Sequence, residues 1–130
     1  FRVALERAKA MGLRVNENLR FVSDAELDAA MEAADLVLVA YRGFKGSSGM
    51  LIRAAHFGKP VISTDDGLLS YFVRSYQLGA AIDVGNPATF AAHMENFLLA
   101  GKMDTFDPLR ARKYADDSEP QFFVDKLLGL

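Results

Sequence analysis

The chain has 130 residues and a mass of 14.3 kDa, the size of one ordinary domain, and 51% hydrophobic with 25% charged residues is the balance of a folded chain, not of a disordered tail. Fifteen Lys and Arg against 17 Asp and Glu give a net charge of −2 and a pI of about 5.6, which leaves no basic excess for a phosphate backbone and argues against a nucleic-acid partner. The lack of Cys excludes thiol catalysis and thiolate metal sites, and two histidines, His56 and His93, leave carboxylates as the only route to a metal.

A chain of this length buries roughly two thirds of its unfolded surface, so it needs no disulfide or metal to hold a core. No apolar run approaches the roughly 18 residues of a membrane span and no signal peptide opens the sequence, so no transmembrane segment is expected and a cytoplasmic setting is the default. Phe1, Ala4, Leu5 and Ala8 lie at helical spacing with Gly12 as a stop, so the chain opens inside a helix and without Met. A piece of a longer protein is expected.

Residues 18–22 (NLRFV) read as a short strand, and Ser23 with Glu26 forms the pattern of a capping box. Leu27, Ala30, Met31 and Ala34 then make one apolar helical stripe. The run 36–40 (LVLVA) does not alternate, as expected for a strand buried on both faces of a parallel sheet. A Gly- and Ser-rich loop at 41–48 precedes a helix capped by Ser47 or Ser48 and ended by Gly58. Residues 61–64 are the next strand, 65–67 a turn, and 68–78 a helix closed by Gly79. Residues 81–84 are a further strand. Asn86 and Pro87 start another helix, with Phe90, Met94, Phe97 and Leu98 as its buried face and Gly101 as its stop. A helix is expected around 109–114, and Ser118 and Gln121 cap a last one bearing Phe123, Val124, Leu127 and Leu128.

Strands alternating with helices predict a doubly wound α/β fold of at least four parallel strands with helices on both faces. Such sheets bind ligands beyond the C-terminal ends of their strands, which selects the loops at 41–48 and 65–67. A Gly/Ser loop opening a helix presents free N–H groups and a positive dipole end to an anion. Gly46-Ser47-Ser48-Gly49 lacks both the Walker ending and the dinucleotide fingerprint, and a capped helix after a loop remains the plain alternative. Arg53 interrupts a nearly all-apolar helix, so it meets either an anionic ligand in front of the helix or a carboxylate, with Asp35, Asp65 and Asp66 as candidates. Asp65 and Asp66 read as a solvated turn more readily than as a cation site, His56 as structural and His93 as a surface residue.

The order of these segments resembles the C-terminal, nucleotide-sugar-binding domain of GT-B glycosyltransferases, especially the group 1 family, over roughly residues 18–99. Ala34-Asp35, Gly49, Ala54-Ala55, Gly58, Pro60-Val61, Gly67, Gly79, Val84 and Phe90-Ala91 stand where that family places its recurring residues. The resemblance implies a Rossmann-like nucleotide-sugar domain at 1–103, truncated at its N-terminus, and helices at 104–130 that pack back on it. It also implies half of a hexosyl or related transferase whose acceptor-binding domain lies N-terminal to this chain, inactive as a fragment, with no cofactor and no metal. The diphosphate of the donor would be held by Lys45, Ser47, Ser48, Gly49 and Arg53, bordered by Asp66 and Gly67. Lys45 and Arg53 stand where the family usually has two Glu; Arg only donates hydrogen bonds, so the usual carboxylate contact to ribose does not carry over. Ser47-Ser48-Gly49 is also similar to the helix start of nucleotide-sugar 2-epimerases, one alternative. A noncatalytic module binding an anion or a protein is the other.

Overall fold

The computed structural model describes residues 2–16, 22–41, 48–119 and 127–129. Three β-branched or small-residue segments form its sheet: β1 (Val37–Val39), β2 (Val61–Thr64) and β3 (Gly79–Ile82). All pair in parallel in the order β1-β2-β3, with Val37 beside Val61 and Val61 beside Gly79. Central β2 is buried at all four positions, as an unalternating apolar strand should be. β1 departs from that expectation: Val37 and Val39 are buried but Leu38 between them is 45% exposed, because among the described residues β1 is an edge strand and nothing covers that face.

Among the described residues the sheet has three strands where at least four were expected. The expected strand at 18–22 lies outside the described residues except for Val22, which is in no strand. The strand expected at 81–84 starts two residues earlier, because the preceding helix ends early. That helix, α4 (Gly67–Ser75), was expected to run to Leu78. Instead Gln77 takes a left-handed φ of 52°, and the Leu78 N–H donates to the Val73 carbonyl at 2.9 Å, which turns the chain into the sheet. Gly79, expected to be a helix stop, is a strand residue: a Cβ there would sit 1.9 Å from the Val61 carbonyl oxygen, so only glycine permits this approach of β3 to β2.

The helices given a cap in the sequence at Ser23, Ser47 or Ser48, and Asn86 start at those caps. α1 (Arg2–Ala10) opens the chain, and α2 (Asp24–Ala33) carries the full capping box of Ser23 and Glu26. α3 (Gly49–His56) is capped by Ser48, whose Oγ accepts from the Met50 N–H at 3.1 Å. α5 (Pro87–Ala100) is capped by Asn86 and ended by Gly101, and α6 (Pro108–Asp117) is capped by Asp107. Ser118 is the C-cap of α6 and not the start of the expected last helix, whose residues 120–126 lie outside the described ones; Leu127 and Leu128 are exposed. α5 also departs from its reading, for none of its residues is buried and Leu98 is 74% exposed, since α5 lacks a broad face against any other described element.

The core joins Met31 of α2, Val37 and Val39, Leu51 and Ala54 of α3, Val61, Leu69 and Val73 of α4, and Ala111 and Tyr114 of α6. α3 packs on β1 and, most extensively, on α6, while α4 packs on β2 and β3. This arrangement fixes the start of α3 relative to the strand ends.

Candidate functional site

β1 and β2 run in parallel and each leads towards a helix that returns along the sheet, so the N-termini of α3 and α4 lie at the same, C-terminal edge of the strands. At the first of these, Ser48 is buried and Gly49 exposed. The Met50 amide is taken by the Ser48 hydroxyl and the Leu51 amide by the Ser48 carbonyl at 3.1 Å. The Ser48 and Gly49 N–H groups donate to no acceptor among the described residues. Among the described residues, then, two backbone donors at a positive helix end are left for an anion. Lys45 and Ser47 lie outside the described residues.

At the second helix start, Asp66 is the N-cap of α4 in extended geometry without a side-chain capping bond, and Gly67 follows with φ 62°, a left-handed conformation suited to glycine. Beside them Asp65 is engaged structurally. Arg74 reaches it at 2.6 Å, and the Ser70 hydroxyl donates to it at 3.2 Å. The turn is thus tied to α4 by an ion pair.

Arg53 lies one turn into α3, with its side chain 26% exposed. Its guanidinium meets neither Asp35, Asp65 nor Asp66. Nη1 pairs with Asp28 Oδ1, and Nη2 with Asp24 Oδ1 at 3.2 Å, both carboxylates coming from one face of α2. Sequence reasoning missed these two acids because sequence distance does not say which helices are neighbours; their i, i+4 spacing was the available signal. A cavity of about 300 Å³ opens along this face of α3, lined by Gly49, Ile52, Arg53 and His56, with Asp28 on one wall and Glu119 on another. It brings Gly49 and Arg53 together and leaves Asp66 and Gly67 outside its lining.

Among the described residues neither histidine bonds to a second ligand-type side chain. His56 is exposed and meets the edge of Phe57, while His93, half-buried, bonds through Nδ1 to the Thr89 carbonyl of its own helix. Among the described residues no three His, Cys, Asp or Glu gather as metal ligands, and no helix is long and apolar enough to cross a membrane.

Comparison with known proteins bears on this strand-end arrangement. No curated protein and no solved structure matches the chain. A family model described as glycosyl transferases group 1 matches residues 2–100, most of the chain and every element from α1 to α5. The chain belongs to the group 1 glycosyl transferases.

Proposed function

We propose that the chain binds the diphosphate of a nucleotide-sugar donor and supports glycosyl transfer as part of a longer enzyme whose acceptor site lies on an N-terminal domain. The observation that carries this reading is the positive end of α3, where the Ser48 and Gly49 N–H groups meet no acceptor among the described residues and Gly49 lines the same cavity as Arg53. Ser47 and Lys45 precede this helix start in the chain and would add a hydroxyl and a positive charge. Asp66 and Gly67 would border the site from the start of α4. As the sugar departs, the diphosphate gains negative charge, and donors already aimed at it stabilise the transition state more than the ground state. Residues 104–130 would complete the unit by returning along it, as α6 does on α3.

Proline at position 49 gives a direct test of a backbone donor. Proline is favoured at the first position of a helix, Ser48 already holds the extended conformation proline requires before it, and a Cβ at 49 meets nothing within 4 Å. Gly49→Pro therefore deletes one amide while keeping the helix. Calorimetry on the full-length protein with a panel of nucleoside diphosphates should show affinity lower by about tenfold or more, the loss of one charge-assisted hydrogen bond. Unchanged affinity would remove α3 from the site. The 130 residues alone should release no nucleoside diphosphate in an acceptor-dependent way, because transfer needs both substrates held together.

A further inference from the structure

Among the described residues the Arg53 cluster is unbalanced, with one cation between two carboxylates and a net charge of −1, one turn into α3. The partners are unequal as well. Asp28 is 47% exposed and lines the cavity, whereas Asp24, one turn nearer the start of α2, is 93% exposed and reaches Arg53 at 3.2 Å. Returning Asp24 to water costs little, because its carboxylate is already almost wholly hydrated. The two ion pairs use one hydrogen each on Nη1 and Nη2, so three of the five guanidinium N–H groups have no protein acceptor among the described residues. Gly49 lies four residues, about 6 Å of helix rise, before Arg53, and helical side chains lean toward the N-terminus, so an anion at Gly49 is within reach of the guanidinium.

We propose that Arg53 is an exchangeable cation: Asp28 holds it beside the cavity, and Asp24 yields its place to an incoming phosphate oxygen. Asp24 thereby acts as a built-in competitor that sets how strongly the site takes a diphosphate. This rests on the anion site at Ser48 and Gly49 proposed above. A cluster of net charge −1 opposes an anion, and the exchange moves the Asp24 carboxylate into water, so that Arg53 still faces one carboxylate and now one phosphate oxygen instead of a third anion crowding both.

Inorganic pyrophosphate, titrated calorimetrically into the full-length protein, separates the possibilities. Asp24→Asn should tighten binding by about threefold or more, the effect of removing one charge several ångströms away. Arg53→Met should weaken it, and in the Arg53→Met background Asp24→Asn should give no gain. Glu119→Gln, which neutralises a carboxylate on the same cavity without touching Arg53, should give less than Asp24→Asn. A purely structural role for Asp24 at the start of α2 would lower stability and leave pyrophosphate affinity alone. Three results overturn the proposal: no gain in Asp24→Asn, a gain that survives in Arg53→Met, or an equal gain in Glu119→Gln. If the wild-type protein binds and Gly49→Pro weakens it, these outcomes sink the exchange and leave the donor site standing. If neither wild type nor Asp24→Asn binds pyrophosphate, both readings fall.

Discussion

Two glycines show how differently one residue type can be used in this chain. Gly79 sits where any Cβ would lie 1.9 Å from a backbone oxygen of β2, at a φ of 148° that side chains rarely adopt. Gly79→Ala must push β3 away from β2, so we expect a loss of about 3 kcal/mol, the upper end of overpacking costs, read from urea unfolding. Gly49→Ala meets nothing within 4 Å and should stay within about 0.5 kcal/mol of wild type. The sequence marks both only as glycines, and the close approach at Gly79 comes from a strand pairing that no local pattern announces. Arg53 was legible as an anomaly, since a cation in an apolar helix needs a partner, yet its partners on α2 were not. The need for a partner is local chemistry, while the identity of the partner is tertiary.

Caps were the most readable elements, because each depends on a few consecutive residues: the Ser23 box, Ser48 and Asn86 all cap their helices, while the Asp107 cap of α6 emerges only in the structure. Ser48 also carries the start of α3 at the candidate site, so Ser48→Ala should cost about 1 kcal/mol of stability by freeing the Met50 amide. Urea midpoints of wild type and variant check this. Apolar stripes were less dependable. The stripe of α5 predicts burial of Leu98, but periodicity says only which residues share a face and not whether another element covers it. Leu98→Ser should therefore change stability by no more than about 0.5 kcal/mol in this chain, in contrast to any substitution at fully buried Leu51. The end of α4 was misplaced for a related reason: Leu78 is apolar at helical spacing, but it joins the core after α4 has ended at Ser75, where its backbone bridges to Phe106.

At the scale of the molecule, the parallel α/β plan was legible from alternation of elements, whereas the tie between α4 and α6 was not. Phe72, Tyr76 and Tyr114 form one aromatic cluster, with Tyr76 and Tyr114 rings 5.0 Å apart, and the Arg110 guanidinium donates to the Ser75 carbonyl at 2.5 Å. The Tyr76 hydroxyl donates to Asp117 at 3.2 Å, and Lys113 reaches the same carboxylate at 3.0 Å. Burial raises the Tyr114 pKa above its ordinary 10.0; burial, then the hydrogen bond to Asp117, raises that of Tyr76. Lys113 is raised from 10.5 by its hydrogen bond to Asp117. All three therefore hold protons in the folded state that the unfolded chain releases at lower pH. Protons bound in excess by the native state make stability fall as pH rises, so the contribution is complete below about pH 10 and is lost as pH climbs through the raised values. We expect urea midpoints that hold level to about pH 9 and drop above about pH 10, the ordinary tyrosine value. Tyr76→Phe with Tyr114→Phe keeps the rings and removes both ionisable hydroxyls, so its midpoint should fall less over the same interval, with Lys113 left to account for part of what remains. An equal drop in the double variant would place the alkaline transition elsewhere and leave the α4–α6 tie a matter of ring packing alone.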